Sequence, residues 1–332
     1  MHKINGWVLC AFTVVFASLA QAQGCNNRLV VFGDSLTDPG NAFVILGVIS
    51  TPPFSPVPSA PYASHTFSNG PVWAQQLANS LQSPDSGAPA LASPGLFTNY
   101  AVGAARARPG TGSFDLTTQV ALFLTNYHGR ACAPPTYVLW IGGDDLSDAL
   151  TALTTAANPA QGQTAANAII VEAVTGIADN VVALAASGAR NFLILNAPDI
   201  SHTPLVRSLG PTAIAAAAAL SARFNRALGG TIALLRFFPR IRIAHFDDNA
   251  LTDAVIADPT AFGLTDVVDP CLRFGVVQNA VCENPEQFLF WDALHPTVAG
   301  HSIIARAVRA NAFSQGDPDA IGQLTPGAFI PQ

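Results

Sequence analysis

Three observations predict an α/β fold in which a parallel sheet is covered by helices on both faces. Five apolar, β-rich runs lie at 29–32, 97–102, 137–141, 191–195 and 241–246, which gives a five-stranded sheet. Longer segments of helical character separate them, such as 72–81, 164–186 and 213–235, and strands alternating with helices are the signature of a parallel sheet. Three of the runs stop at Gly-containing turns: Gly33-Asp34-Ser35, Gly103, and Gly142-Gly143-Asp144-Asp145. Ligands in such folds bind outside the carboxyl ends of the strands, so these three turns are expected to converge on one place.

Taken in order, Val30-Val31-Phe32 is a buried strand that ends abruptly and delivers Ser35 at its carboxyl end. The Pro/Ser/Gly-rich stretches 51–68 and 83–95 are long loops rather than domain linkers, and 72–81 is a helix between them. The Ala-rich run inside 213–235 is plain helix. Pro296 and Thr297 mark the start of a closing helix over 298–312, and the Gly- and Pro-containing residues 316–332 form a loosely docked tail. There is no internal repeat.

Residues 1–22 combine a short cationic start, an apolar core over 7–19 and the small-x-small site Ala20-Gln21-Ala22. That is the pattern of a cleaved secretory signal peptide, and it places the mature chain outside the cell or in the periplasm. The apolar core is too short to span a bilayer, and no later segment is expected to do so. Residues 23–332 form a single domain and a monomer. The chain is 50% hydrophobic and 11% charged with a net charge of −6. A core is therefore easily built, and with no basic patch a nucleic-acid partner is not expected. The sole lysine, Lys3, departs with the signal, which excludes Schiff-base, pyridoxal-phosphate and phosphate-loop lysine chemistry.

Four cysteines survive processing: Cys25, Cys132, Cys271 and Cys282. An even number in an exported chain favours disulfides. Cys271 and Cys282 flank a short loop and pair most simply with each other. Cys25 lies ten residues before Ser35 and Cys132 ten before Gly142, so on neighbouring parallel strands the two reach the same level and pair. The absence of a close Cys-x-x-Cys pair argues against zinc.

Near the other end of the chain stands Trp291-Asp292-Ala293-Leu294-His295-Pro296. A serine hydroxyl needs a base to take its proton, and that base works best when a carboxylate holds its ring. Asp292 and His295, about one helical turn apart, can face the same way and supply both. Alone, Ser35 would as readily be a helix cap and His295 an ordinary loop residue. Their joint presence makes the nucleophile, base and orienting acid the stronger reading. His65, His128, His202 and His245 lack a motif and are structural. His301 is a surface or packing residue, Asp34 bonds backbone amides, and Asp145 supports its loop.

These residues carry a resemblance. Phe32-Gly33-Asp34-Ser35-Leu36-Thr37-Asp38, Asn99-Tyr100-Ala101-Val102-Gly103-Ala104, Trp140-Ile141-Gly142-Gly143-Asp144-Asp145-Leu146 and Phe290-Trp291-Asp292-Ala293-Leu294-His295-Pro296-Thr297 resemble, in order, the blocks of the GDSL or SGNH hydrolases. Tyr62 and Thr66-Phe67-Ser68-Asn69-Gly70 resemble the approach to the second strand in its lipase-like branch. The resemblance implies a flavodoxin-like three-layer α/β/α sandwich and an esterase or lipase without cofactor or metal. Ser35 would attack an acyl carbonyl, with His295 as base and Asp292 behind it. The N–H groups of Ser35 and Gly103 and the side chain at position 144 would form the oxyanion hole.

Position 144 departs from the family pattern, which has asparagine there. An ionised Asp144 has no donor and repels the developing oxyanion. A neutral Asp144 can donate, so weakened activity favoured at mildly acidic pH is expected. A metal-dependent phosphoesterase built on Asp34, Asp38, Asp144, Asp145, Asp292 and His295 is one alternative. A non-catalytic binding protein is the other. The apolar, mildly acidic chain fits uncharged small-molecule or lipid esters, with acyl chain and alcohol left open. Phe67, Phe262, Phe288 and Trp291 are candidate pocket or lid aromatics.

Overall fold

The first three strands of the main sheet are short and wholly buried, which their apolar runs dictate. The computed structural model describes residues 27–47, 60–63, 65–112, 114–276 and 278–313. The main sheet contains β1 (Leu29–Gly33), β2 (Thr136–Trp140), β3 (Asn191–Leu195) and β4 (Arg242–Phe246), parallel and in the order β1-β2-β3-β4. The register is even: Leu29 opposes Thr136, Thr136 opposes Asn191, and Asn191 opposes Arg242. All four carboxyl ends therefore finish at one edge, and Arg28, Arg190 and Arg242 mark the opposite one.

Alternation along each strand divides the core in two. Val30, Phe32, Tyr137, Leu139, Phe192 and Ile194 face one side. Helices α3 (Leu116–Asn126), α4 (Gly143–Thr155), α5 (Pro159–Ser187) and α7 (Pro211–Leu235) cover them. Leu29, Val31, Val138, Trp140, Leu193 and Phe246 face the other side, beneath α2 (Trp73–Ser80), α8 (Asp248–Ala257) and α9 (Val298–Ala312). Helices α1 (Asn41–Leu46) and α6 (Pro204–Ser208) are short pieces at the carboxyl edge. The helix starts are chemically marked: Asp115, Asn158, Thr203, Asp247 and Thr297 each accept a bond from a first-turn amide. The three-layer α/β/α class is therefore as expected.

The strand count is not. The run 97–102 forms no regular strand, although Tyr100 N–H donates to Val31 O at 2.8 Å and Val102 N–H to Gly33 O at 3.2 Å. Asn99 also bridges to Pro89, and its side chain bonds Thr37 O and Ala101 N–H. The segment thus edges β1 in a broken ladder, and the sheet has four strands. A second, unexpected sheet pairs β5 (Asp266–Pro270) with β6 (Phe288–Phe290). By length and composition α5 is a helix able to cross a membrane, which departs from the expectation for later segments. Its Ala166, Ile170, Ala173, Ile177, Val181 and Leu184 are instead packed into the core.

Cys271 and Cys282 are disulfide-bonded, as expected. The pairing β1–β2 supplies the neighbouring strands assumed for Cys25 and Cys132, but Cys25 lies outside the described residues. The signal segment 1–22 and the tail 316–332 lie outside them as well.

Candidate active site

Ser35 owes its position to a braced turn. Gly33 ends β1 where a Cβ would sit 2.5 Å from Trp140 O, so only glycine fits. The buried Gln119 clamps it from both sides: Gly33 N–H donates to Gln119 Oε1 at 3.0 Å, and Gln119 Nε2 donates to Gly33 O at 2.8 Å. One residue later, Asp34 O accepts from Thr37 and Asp38 N–H, and Asp34 Oδ1 accepts from Leu36 N–H at 3.1 Å. The chain reverses around Ser35, whose side chain remains partly exposed.

The loop after β6 presents the partner groups. Asp292 Oδ1 accepts from the N–H of Leu294 at 2.8 Å and of His295 at 2.7 Å, a local turn that aspartate favours. The same turn swings the imidazole back onto the carboxylate, with His295 Nδ1 at 2.8 Å from Asp292 Oδ2. The other ring nitrogen, Nε2, lies 2.9 Å from Ser35 Oγ. Tyr62 completes the line by donating its hydroxyl to Asp292 Oδ2 at 2.7 Å. Behind it, Trp291 packs edge-on against Tyr62, in a cluster with Cys271 and Leu272. Cys271 N–H and Leu272 N–H bond to Phe290 O and Trp291 O, which ties the disulfide loop to the strand carrying the pair.

Electrostatics follow this geometry. Burial favours neutral forms of both partners, but their mutual attraction outweighs it. Asp292 stays below the ordinary carboxylate range because the charge and hydrogen bonds of His295, with the Tyr62 hydroxyl, overcome its desolvation. His295 is raised because Asp292, then Asp144 and Asp34, overcome its burial. Burial and the nearby Asp144 charge push Asp34 up to about 8. Burial raises Asp144 to about 6 against the pull of Arg106 and His295.

Asp144 lines one cavity with Ser35 and His295. It lies in the first turn of α4, where helix amides attract negative charge. Gly103 sits differently from expectation: its N–H donates to Asp38 Oδ2 at 2.8 Å, so Asp38 competes with any oxyanion for it. Asp38 also accepts from the N–H groups of Gly40, Asn41 and Ala42, which makes it the organiser of the Asp38-Pro39-Gly40-Asn41 turn. What Gly103 does provide is space. A Cβ there would lie 2.4 Å from the Phe67 ring, whose centroid is 5.3 Å from that of His295. Gly103→Ala is expected to displace Phe67 and tilt His295, lowering kcat/KM roughly 10²-fold. Steady-state kinetics on a variant with an unchanged circular-dichroism spectrum checks this.

Asp145 is a support, accepting from Ala107 N–H and from Arg108, which also bonds Asp148 together with Arg106. His301 is fully buried with no partner for either ring nitrogen among the described residues, and burial holds it down at about 3, so it is a packing residue. His202 faces Asp253 at 3.3 Å. Of the four aromatics, Phe67 makes ring contact with His295 and Trp291 with Tyr62, while Phe262 and Phe288 pack in hydrophobic clusters. Among the described residues no three His, Cys, Asp or Glu side chains form a metal ligand set. Gln119 and the Asp38 turn were not legible as parts of the site, because their partners lie up to 86 residues away.

The profile of GDSL-like lipases and acylhydrolases matches residues 29–308 of this chain. The thermolabile hemolysin of Vibrio parahaemolyticus serotype O3:K6 (strain RIMD 2210633) is 25% identical over 295 residues; the alignment covers 84% of this chain and 62% of the hemolysin, so the chain spans less than two thirds of that relative. The phosphatidylcholine-sterol acyltransferase of Aeromonas hydrophila is 24% identical, with 93% of this chain and 97% of the relative covered. A GDSL esterase/lipase of Arabidopsis thaliana is 26% identical, with 90% and 93% covered. With the match running from β1 through the Asp292–His295 loop and into α9, the chain belongs to the GDSL-like lipase/acylhydrolase family, a family of carboxylic ester hydrolases.

Proposed function

We propose that this chain is an exported serine esterase that cleaves uncharged small-molecule or lipid esters through an acyl-enzyme on Ser35. The observation that carries the reading is the continuous line Ser35 Oγ, His295 Nε2 and Nδ1, Asp292 Oδ2, Tyr62 hydroxyl, with links of 2.9, 2.8 and 2.7 Å. Neutral His295 takes the Ser35 proton as Oγ adds to the ester carbonyl. The imidazolium formed is steadied by Asp292, then returns the proton to the departing alcohol. Water repeats the cycle on the acyl-enzyme. The oxyanion is met by the Ser35 N–H, by a Gly103 N–H shared with Asp38, and by Asp144 in its neutral form. Asp144 is thus the weak donor of the set.

The test is hydrolysis of p-nitrophenyl acetate, butyrate and octanoate at pH 5.5 and 8, with EDTA and a Ser35→Ala control. Turnover is expected to survive EDTA and to fall by at least about 10⁴-fold in Ser35→Ala. Loss with EDTA would favour the metal phosphoesterase, and a folded protein inert to every ester and to a phosphonate probe would favour a binding role. The acyltransferase activity in the Aeromonas relative's name supports a second acceptor beside water. Added alcohol in the same assay, with ester product analysed, reads that partition directly.

A further inference from the structure

The cavity at Ser35 runs on past the nucleophile. Its volume is about 240 Å³, and it is lined at the carboxyl edge by residues following every strand of the main sheet: Ser35 after β1, Asp144 after β2, Asp199 after β3 and Asp248 after β4. Neighbouring strands lie about 4.8 Å apart, so the span from the first to the fourth is roughly 14 Å. The wall between is largely aliphatic, built from Leu150, Ile200, Val206, Leu251, Ile303 and Ile304. Such a trough accepts an acyl chain lying across the top of the sheet.

Asp248 does not belong in that wall on packing grounds. It is 1% exposed, and its Oδ1 is buried with no hydrogen-bond partner among the described residues. It does not cap α8, since Asp247 accepts the capping bond from Ala250 N–H. The Thr252 hydroxyl, one turn along the helix, favours the charged form of the Asp248 carboxyl but does not outweigh burial. Burial, reinforced by the Asp247 charge, pushes its carboxyl up to about 8, so it stands as a neutral acid with one O–H donor and free acceptor capacity. A plain hydrocarbon tail in the trough leaves that group unpaired, which is destabilising. A hydroxyl, donor and acceptor at once, satisfies it.

We propose that Asp248 receives a hydroxyl carried on the distal part of the acyl chain, so that the substrates of this site are medium-chain hydroxyacyl esters. The inference rests on the esterase reading above and adds the substrate class to it. The chain enters with its carbonyl at Ser35, crosses the aliphatic wall, and ends with its hydroxyl on the Asp248 carboxyl.

The experiment compares kcat/KM for p-nitrophenyl octanoate and decanoate with that for their ω-hydroxy analogues, on the full chain. Wild-type protein is expected to prefer the hydroxylated ester about tenfold at one or both lengths. Asp248→Leu is expected to erase or invert the preference, and Asp248→Asn, whose amide also donates and accepts, to keep it. Equal rates for plain and hydroxylated esters in the wild type would overturn the inference, whether or not the leucine variant folds. So would a preference that persists in Asp248→Leu at an unchanged melting temperature. Ser35-dependent hydrolysis of the plain esters in those cases leaves the esterase reading standing, whereas no hydrolysis of any ester overturns both.

Discussion

Asp144→Asn is expected to raise kcat at pH 8 by roughly 10²-fold, the size of one oxyanion donor gained. On the proposed mechanism catalysis needs His295 neutral, to accept from Ser35, and Asp144 protonated, to donate to the oxyanion. His295 lies above its ordinary value partly because Asp144 is near, while Asp144 is raised only to about 6. With one proton to share, the imidazole takes it and the carboxylate keeps its charge, the unproductive arrangement. Lowering the pH protonates Asp144 and His295 together; raising it strips both. The mildly acidic optimum expected from Asp144 alone is thereby opposed by the base it sits beside. Asparagine removes the conflict: it donates at every pH, and without the Asp144 charge the His295 pKa falls. The pH–rate profile should gain amplitude and its acidic limb should move to lower pH. Equal or lower turnover across the whole range would remove Asp144 from the oxyanion hole.

The second large effect is a loss. Asp292→Asn is expected to lower kcat by about 10⁴-fold. An asparagine that keeps its carbonyl oxygen at the Oδ1 position preserves the bonds from Leu294 and His295 N–H. Its amide then falls at Oδ2, facing His295 Nδ1 and the Tyr62 hydroxyl. Nδ1 must become the acceptor, the ring proton moves to Nε2, and Nε2 no longer accepts from Ser35. The imidazolium also loses its counter-charge, so the His295 pKa is expected to fall, readable by NMR titration. A drop below tenfold, with the fold intact, would show that Asp292 only shapes the loop.

The sequence revealed those parts of this site that are local. Strand ends at Gly33 and Gly142 were legible because glycine interrupts apolar runs abruptly, and the Asp292–His295 pair because three-residue spacing fixes its geometry. The run 97–102 looked like an equal strand, since apolar composition says nothing about how many ladder bonds a segment completes. Asn99 spends its side chain on the Asp38 turn rather than leaving a regular edge. Tyr62 entered only through resemblance: its bond to Asp292 spans 230 residues. Gln119 gave no signal, because a buried amide clamped to one glycine has no periodicity to betray it. Asp38 was seen only as one more carboxylate, and its hold on the Gly103 N–H depends on where two separate turns meet. Asp248 resembled any acidic residue in a first helical turn until its burial was known.

The 260-residue separation between Ser35 and His295 has a consequence for how this protein is made. The nucleophile leaves the ribosome 260 residues ahead of its base, and the acid emerges only three residues before that base. A nascent fragment ending before that loop holds Ser35 and Tyr62 of the line but neither the base nor the acid. On the proposed mechanism an unfinished or unfolded chain is therefore chemically silent toward the esters of the cell that produces it. On the same mechanism activity begins only when β6 and α9 dock, an event set by long-range contacts.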